Sequence, residues 1–252
     1  MSKVNILNGD CLEIMRVLED NSIDLIVTDP PYGVNFKQSF YDDSEDYVLT
    51  NLNNWYKEWF RLLKEDSYLF VFVGVKQIHN FIQAGIEVGF TYKNIIASRS
   101  YNNGVKKAPN NFGFQFQPIL VFSKGKGRAL NNVDFIPTSE AWYKDKRNKN
   151  PKPYTYEYPN WLQTDWVFAT AKRASKNIHP NEKNVDLLEF LIQTSSVEGQ
   201  TVLDCFLGSG STGIAAVNTY RDFIGVEKDE GYFKTAKERI EKALESRKEK
   251  AS

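Results

Sequence analysis

The chain has 252 residues, 41% of them hydrophobic and 25% charged, and its 32 basic residues balance 32 acidic ones. These values indicate a soluble globular protein with one large α/β domain or one domain plus an insertion, and no apolar run approaches the ~20 residues of a membrane span. No signal peptide is visible and the two cysteines are far apart, which predicts a reducing cytoplasm, no disulfide framework and no metal site.

The charges are unevenly distributed along the chain. Up to Asp66 there are thirteen acidic and six basic residues, whereas residues 99–128 contain six basic residues and no acidic one. Residues 142–176 contain eight basic and three acidic residues. Although the net charge is zero, this cationic middle of the chain predicts contact with a polyanion.

Strands and helices are predicted to alternate in the first half of the chain, which implies a mostly parallel sheet. Asp10 precedes the first helix, either as its N-cap or as an acceptor for a ligand's amino or hydroxyl group. Gly33–Asp46 is predicted as a loop that closes over a bound ring or is ordinary surface. The predicted strands are Val4–Leu7, Ile23–Val27, Ser67–Val73, Thr91–Ala97 and Phe116–Phe122, and the predicted helices are Cys11–Leu18, Thr50–Leu63 and Lys76–Val88.

The end of the second strand carries the first chemical motif, Asp-Pro-Pro-Tyr. The two prolines fix the backbone, so that Asp29 and Tyr32 are held on either side of a rigid turn. A carboxylate that accepts hydrogen bonds beside an aromatic face suits a planar ring with an amino group. An ordinary strand-to-loop turn is the alternative.

Residues 129–174 interrupt the alternation. This segment has four prolines, a Lys/Arg-rich run and interleaved Trp and Tyr residues, which indicates an insertion that contacts nucleic acid. A small sub-domain with its own aromatic core is the alternative. The predicted phosphate contacts are Lys124, Lys126, Arg128, Lys144, Lys146, Arg147 and Lys149.

The α/β pattern returns near the C-terminus. The predicted elements are the helix Val185–Gln193, the strand Thr201–Phe206, the helix Thr212–Thr219, the strand Phe223–Val226 and the helix Glu230–Leu244. They contain one βαβ unit with a glycine-rich first turn.

That turn, Gly208-x-Gly210-x-x-Gly213, satisfies the dinucleotide fingerprint. With Glu227 placed to bind ribose hydroxyls, it is typical of an NAD-dependent oxidoreductase. S-adenosylmethionine fits better, because Asp204 at the strand end would repel a pyrophosphate and attract an ammonium group. The oxidoreductase interpretation also leaves the Asp-Pro-Pro-Tyr turn unexplained.

The two motifs together resemble the S-adenosylmethionine-dependent DNA amino-methyltransferases, which methylate adenine N6 or cytosine N4. The order of catalytic motif, insertion and glycine loop is similar to the circularly permuted beta group of that family. The resemblance implies an α/β fold with a doubly wound, mostly parallel, Rossmann-like sheet. It assigns residues 1–128 to the catalytic part, 129–176 to an inserted target-recognition region and 177–252 to the cofactor-binding part.

The resemblance also implies roles for single residues. Asp29 and the Pro30 carbonyl would accept hydrogen bonds from the target amino group, Pro31 would keep the turn rigid and Tyr32 would stack on the flipped base. Lys183 in His179–Lys183 would lie near the methionine end of the cofactor; the family commonly has proline where this chain has Asn184 and Cys205. The other implied cofactor residues are Asp10, Asp204, Phe206, Gly208, Ser209, Gly210, Thr212 and Glu227.

The function implied by the resemblance is methyl transfer from S-adenosylmethionine to adenine N6 in double-stranded DNA, with base flipping and direct transfer. In this family, Asp before Pro-Pro-Tyr goes mostly with adenine and Ser mostly with cytosine N4, and a cytosine-N4 enzyme is the alternative. A non-catalytic DNA-binding subunit and methylation of RNA or a protein amide stay open. A homodimer and a cognate restriction endonuclease are the further partners that the resemblance suggests.

Overall fold

The computed structural model describes residues 2–34, 42–99, 116–131 and 183–251. The inserted region predicted at 129–176 falls almost entirely outside these residues. The strands are β1 (Val4–Asn8), β2 (Ile23–Thr28), β3 (Leu63–Phe72), β4 (Thr91–Arg99), β5 (Phe116–Ser123), β6 (Thr201–Asp204) and β7 (Asp222–Glu227). The helices are α1 (Cys11–Val17), α2 (Glu45–Leu62), α3 (Ile78–Val88), α4 (Val185–Ser195), α5 (Ser211–Asn218) and α6 (Glu230–Ala251), with a 3₁₀ turn at Val75–Gln77.

The seven strands form one sheet in the order β1-β7-β6-β2-β3-β5-β4. Pairing is parallel from β1 through β3, and β5 is antiparallel to both of its neighbours. The prediction of a mostly parallel, doubly wound sheet is therefore confirmed. The two strands that come last in the chain lie between β1 and β2, so the N-terminal and C-terminal parts of the sequence share one sheet.

Helices cover both faces of the sheet, and β2 shows how the sequence divides between them. All six of its residues are buried. Leu25 and Val27 pack into one apolar cluster with α4, α5 and α6, whereas Ile26 packs into the other with α1, α2 and α3. Side chains alternate across a strand, so a continuous apolar run is what a strand covered on both faces requires.

Two element boundaries near the site differ from the prediction. Helix α2 begins at Glu45 instead of Thr50, because the Ser44 hydroxyl accepts a hydrogen bond from Tyr47 N as its N-cap. The polar segment before the aromatic stripe thus includes the first turn of a helix. Strand β6 ends at Asp204, and Phe206 lies in the loop that follows it.

Within the described ranges, no helix has the length and apolar character that crossing a membrane requires. Among the same residues, no three His, Cys, Asp or Glu side chains come together as a possible metal site.

Candidate active site

The carboxyl ends of four neighbouring strands surround one cavity of about 260 Å³. β2 and β6 are adjacent, and from them the chain continues in opposite directions across the sheet, to β3 and to β7. Open α/β sheets bind their ligands at such a switch point. The cavity is lined by the Asp29–Tyr32 turn on one side and by residues after β1, β6 and β7 on the other. The two predicted motifs therefore share one cavity.

A buried carboxylate from outside the motif holds the Asp-Pro-Pro-Tyr turn. Asp43 Oδ1 accepts hydrogen bonds from Tyr32 N at 2.7 Å and from Gly33 N at 2.9 Å, and its Oδ2 accepts one from Val34 N at 3.3 Å. Asp43 is only 5% exposed. The proline rings fix the backbone at the two prolines, which have no N–H group to donate. The Asp43 carboxylate holds the N–H groups of the three residues that follow them.

Asp29 is bound by a nitrogen donor. Its Oδ2 forms an ion pair with Lys183 Nζ at 2.5 Å, and its Oδ1 accepts a hydrogen bond from the Tyr32 hydroxyl. The side chains of Asp29 and Lys183 are 24% and 15% exposed. The Lys183 ammonium also lies 5.8 Å from the ring centre of Tyr32 and 5.3 Å from that of Phe72. A carboxylate and two aromatic faces thus form a small site that holds an amine.

Thr28 and Asp204 connect the two motifs at the bottom of the site. Thr28 Oγ1 donates a hydrogen bond to Asp204 Oδ1 at 3.0 Å, and Phe206 N donates to the same oxygen at 3.1 Å. Asp204 is only 2% exposed, and it is not one of the described residues that line the cavity. Burial raises the pKa of its carboxyl from 3.8 to about 6, although the hydrogen bonds from Thr212, Phe206 and Thr28 lower it.

This raised pKa predicts a pH-dependent stability. Between about pH 4 and pH 6 the folded protein binds more protons than the unfolded chain, so ionisation of Asp204 destabilises it as the pH rises. We expect Asp204→Asn to raise the free energy of unfolding by about 2–3 kcal/mol near pH 7. Near pH 3.5 the difference should disappear, because both side chains are then neutral. Urea unfolding of both proteins across this range measures the effect, and a pH-independent difference would contradict it.

The glycine loop lies above β6 and places its backbone against the cavity. Gly208 has a φ of +52° and Gly210, the N-cap of α5, has a φ of +88°. Gly208 N donates to Glu227 Oε2 at 2.7 Å, and Asp229 N donates to Glu227 Oε1 at 2.8 Å. Burial raises the pKa of Glu227, and these backbone donors lower it. The loop and the acidic end of β7 are therefore joined directly.

Gly210 is required for conformation and for packing at once. A Cβ added there would lie 3.0 Å from the backbone Cα of Ala236. We expect Gly210→Ala to lower the free energy of unfolding by about 3 kcal/mol, from left-handed strain plus the clash. Gly199 is the matched control, because its φ is +78° and a Cβ added there would have nothing within 4 Å. Gly199→Ala should lose about 1–2 kcal/mol in the same urea titration. Equal losses would show that the close approach to α6 is unimportant.

The far end of the cavity is formed by the turn after β1 and the turn after β7. Asp10 is the N-cap of α1, accepting from Leu12 N at 3.0 Å, and its other oxygen pairs with Lys228 at 3.3 Å. The structure thus shows the capping role, and Asp10 and Lys228 both belong to the lining of the cavity.

Both cysteines also line this cavity. Burial raises the pKa of the Cys11 thiol to about 12, and it raises the pKa of the Cys205 thiol well above its ordinary value. Trp59 Nε1 donates to Cys205 Sγ at 3.2 Å. Since the thiolate is the nucleophilic form, both side chains are unreactive walls at neutral pH.

Several residues predicted for the site lie elsewhere. Ser209 and Thr212 are buried and do not belong to the cavity lining. Lys124, Lys126 and Arg128 follow β5, and because that strand runs antiparallel they lie at the opposite edge of the sheet, near the start of β3. The four other predicted phosphate contacts, Lys144, Lys146, Arg147 and Lys149, lie outside the described residues.

Two of these cationic side chains form hydrogen bonds within the fold. Lys124 Nζ donates to Asn21 Oδ1 and to the carbonyls of Phe60 and Leu63 at 2.8–2.9 Å. Arg128 donates to Gln200 Oε1 at 2.9 Å and to Ser67 Oγ at 2.7 Å. Such hydrogen bonds give them a structural role, whereas Lys126 has an exposed side chain.

Asp43 and Gln117 belong to the site but were not predicted. Gln117 Nε2 donates a hydrogen bond to the Tyr32 hydroxyl. The signal for Asp43 was its place one residue before the helix cap Ser44, in an acidic segment otherwise typical of surface. The signal for Gln117 was a single amide at the start of an apolar strand. Neither pattern indicates by itself which turn the side chain reaches.

Comparison with known proteins places the chain in a family. The DNA methylase model N6_N4_Mtase matches residues 23–238. The chain is 30% identical over 241 residues to the type II methyltransferase M.HpaI of Haemophilus parainfluenzae, covering 92% of this chain and 73% of the relative. It is 30% identical over 245 residues to the DNA adenine methyltransferase YhdJ of Escherichia coli K12, covering 94% and 83%.

Solved structures agree with this assignment. M1.HpyAVI, solved as its SAM complex, superimposes with a TM-score of 0.64 at 26% identity, covering 94% of this chain and 99% of the other. The PvuII DNA methyltransferase, a cytosine-N4-specific enzyme, has a TM-score of 0.70 at 18% identity over 97% and 92% of the two chains and shows the fold alone. With its sheet, its two motifs and these relatives, the chain belongs to the N6/N4 DNA methylase family.

Proposed function

We propose that this protein transfers a methyl group from S-adenosylmethionine to the exocyclic N6 of adenine in double-stranded DNA. One observation carries the proposal: Asp29 and the ring of Tyr32 hold an amine, that of Lys183, at the edge of the cavity that contains the glycine loop. An amino group of a base presents the same kind of N–H donor and adds a planar ring to stack. The turn is thus suited to a flipped nucleobase.

The residues around the turn act on the nucleophile by orientation. An exocyclic nitrogen attacks poorly, because its lone pair is delocalised into the ring. When Asp29 and the Pro30 carbonyl accept its two N–H bonds, the lone pair is directed away from the ring plane, toward the methyl donor. The target amine must first displace Lys183 from Asp29 Oδ2. This displacement also moves the positive charge of the Lys183 ammonium away from the exocyclic nitrogen, which becomes positively charged as it accepts the methyl group.

The chemistry of the cavity fits the cofactor. Bound S-adenosylmethionine supplies an activated methyl group on a positively charged sulfur. Glu227 and Asp10 would accept from the adenosine hydroxyl and amino groups, and Gly208 lets the backbone approach closely. Lys183, once displaced, would hold the methionine carboxylate. Asp204, which is buried beneath the cavity lining, would act on the cofactor through its negative charge and through its hydrogen bond with Thr28.

Adenine is the proposed target on two grounds. Asp29 precedes Pro-Pro-Tyr, the pattern that in this family goes mostly with adenine. YhdJ, which matches over 94% of this chain, is described as a DNA adenine methyltransferase. Cytosine N4 is the second candidate, because its amino-amidine edge has the same donors and acceptors and PvuII methyltransferase, with the same fold, is cytosine-N4-specific.

The DNA partner is proposed to bind through residues 129–176 as the target-recognition region, between a catalytic part at 1–128 and a cofactor part at 177–252. We assign phosphate contacts to Lys144, Lys146, Arg147 and Lys149, and not to Lys124 and Arg128, whose hydrogen bonds serve the fold. The match to a type II methyltransferase supports a cognate restriction endonuclease as a partner. A homodimer and a cytoplasmic location complete the proposal.

A filter assay with S-adenosylmethionine labelled on the methyl group tests this function. We expect label in duplex DNA made by PCR, which carries no methylated base, and none in RNA or in casein. Calorimetry should show binding of S-adenosylmethionine and no binding of NAD. Label in RNA or protein alone, NAD binding alone, or DNA binding without transfer would each contradict the proposal.

A further inference from the structure

Gln117 reaches the catalytic turn although it belongs to neither motif of the sequence. β5 runs antiparallel to β3, with Ile119 opposite Phe72. The first residues of β5 therefore lie at the edge of the sheet where the parallel strands end. Val73 N donates to the Pro118 carbonyl at 3.1 Å, which fixes this end of β5 beside the site. From here the partly buried Gln117 side chain donates through Nε2 to the Tyr32 hydroxyl.

The contacts of the Tyr32 oxygen determine the direction of its proton. Gln117 Nε2 donates to this oxygen, and Lys183 Nζ donates to it at 3.3 Å. A phenol has one proton to donate and accepts through its lone pairs. Since N–H donors face the accepting side, the Tyr32 proton is directed to Asp29 Oδ1. Oδ1 is thus committed to Tyr32, and Oδ2 is the oxygen available to the target amine.

The same hydrogen bonds hold the Tyr32 ring. A side chain fixed before binding loses no rotamer freedom when a base stacks on it, so the stacking is stronger. When Lys183 leaves Asp29 for the target to enter, its bond to Tyr32 is lost as well. Gln117 comes from a strand of the sheet and stays in place. Its hydrogen bond to the Tyr32 hydroxyl is therefore expected to remain during the reaction.

We propose that Gln117 is a positioning residue for methyl transfer. Through the Tyr32 hydroxyl it sets which oxygen of Asp29 is free for the target amine, and it holds the ring on which the base stacks. The inference rests on the proposed function. Gln117 is proposed to contact neither the target base nor the cofactor. Its effect on methyl transfer therefore passes entirely through the Tyr32 hydroxyl oxygen.

A double-mutant cycle tests this route. Gln117→Met keeps the length of the side chain and removes the amide donor, and it is made in the wild-type and in the Tyr32→Phe background. With labelled S-adenosylmethionine and PCR-made duplex DNA, we expect kcat to fall about tenfold in the first background, the equivalent of one hydrogen bond. The KM and the calorimetric Kd for S-adenosylmethionine should not change. In the second background the substitution should cause no further loss, because the hydroxyl is already absent.

Gln83→Met is the matched control. Gln83 is on α3 and its Nε2 donates to Glu87 at 2.9 Å in an exposed pair, so the same change should leave kcat at the wild-type value. An equal loss from Gln117→Met in both backgrounds would overturn the inference, because the effect would then not pass through Tyr32. No loss in either background would overturn it too. If the wild-type protein transfers no label to DNA, the proposed function is wrong and the inference falls with it.

Discussion

Asp29→Ala is expected to lower methyl transfer to DNA by about 10²–10³-fold while the Kd for S-adenosylmethionine stays within about threefold of the wild-type value. The carboxylate lines the cavity, and in the proposed reaction its loss removes the acceptor that redirects the lone pair of the target amine. The side of the cavity that is proposed to bind adenosine, lined by Asp10, Gly208 and Glu227, is untouched. Single-turnover transfer of labelled methyl and calorimetry measure the two quantities separately.

Asp20→Ala provides the control for this substitution. Asp20 is also paired with a cation, Arg61, but its side chain is 65% exposed and is not among the described residues that line the cavity. The same chemical change should therefore leave both transfer and cofactor binding unchanged. Turnover at the wild-type rate in Asp29→Ala would contradict the assignment of Asp29 as the acceptor.

Asp43→Ala is expected to have the second largest effect, on stability as well as on transfer. The buried carboxylate accepts from three consecutive backbone N–H groups, and its removal leaves Tyr32 N, Gly33 N and Val34 N without this acceptor. We expect a loss of about 3 kcal/mol in the free energy of unfolding, since hydrogen bonds to charged groups contribute strongly. Transfer should fall about 10²-fold, because the turn that carries Asp29 loses its fixed geometry.

Asp43→Asn separates the two oxygens of this carboxylate. The amide oxygen can still accept from Tyr32 N and Gly33 N, whereas the amide nitrogen cannot accept from Val34 N. The variant should therefore retain most of the stability and most of the transfer activity. If Asp43→Ala and Asp43→Asn were both as active and as stable as the wild-type protein, Asp43 would have no part in holding the turn.

The sequence identified the cavity through local signals that end at the same edge of the sheet. Strand β2 ends at Thr28, directly before Asp29 and the two prolines, and strand β6 ends at Asp204, a few residues before the glycine loop. Parallel strands place their carboxyl ends on one side. The proximity of Asp29 to the loop thus follows from the pattern together with the parallel pairing.

Long-range features could not be predicted in this way. The direction of β5 is set by its pairing with β3 and β4, and an apolar run looks the same in either direction. This one reversal carries Gln117 to the site and Lys124 and Arg128 away from it. The pairing of Lys183 with Asp29 joins residues 154 positions apart in the chain, and no local spacing indicates it.

Asp204 shows a second limit of sequence reasoning. The sequence pattern correctly predicts that Asp204 lies at the end of a strand. It does not predict whether the side chain there points into the cavity or beneath the loop. The hydrogen bonds from Thr28 and Phe206 N draw the side chain beneath the loop and away from the cavity surface. A buried acceptor with three donors is stable there, although its ionisation is then unfavourable.

The most direct test of the account is the chemical identity of the product. Duplex DNA made by PCR is incubated with the protein and S-adenosylmethionine, digested to nucleosides and analysed by mass spectrometry against synthetic standards. We expect N6-methyldeoxyadenosine as the product, and a strongly reduced amount of it when Asp29→Ala replaces the wild-type protein. N4-methyldeoxycytidine as the product would contradict the assignment of adenine, and DNA without any methylated nucleoside would contradict the proposed reaction itself.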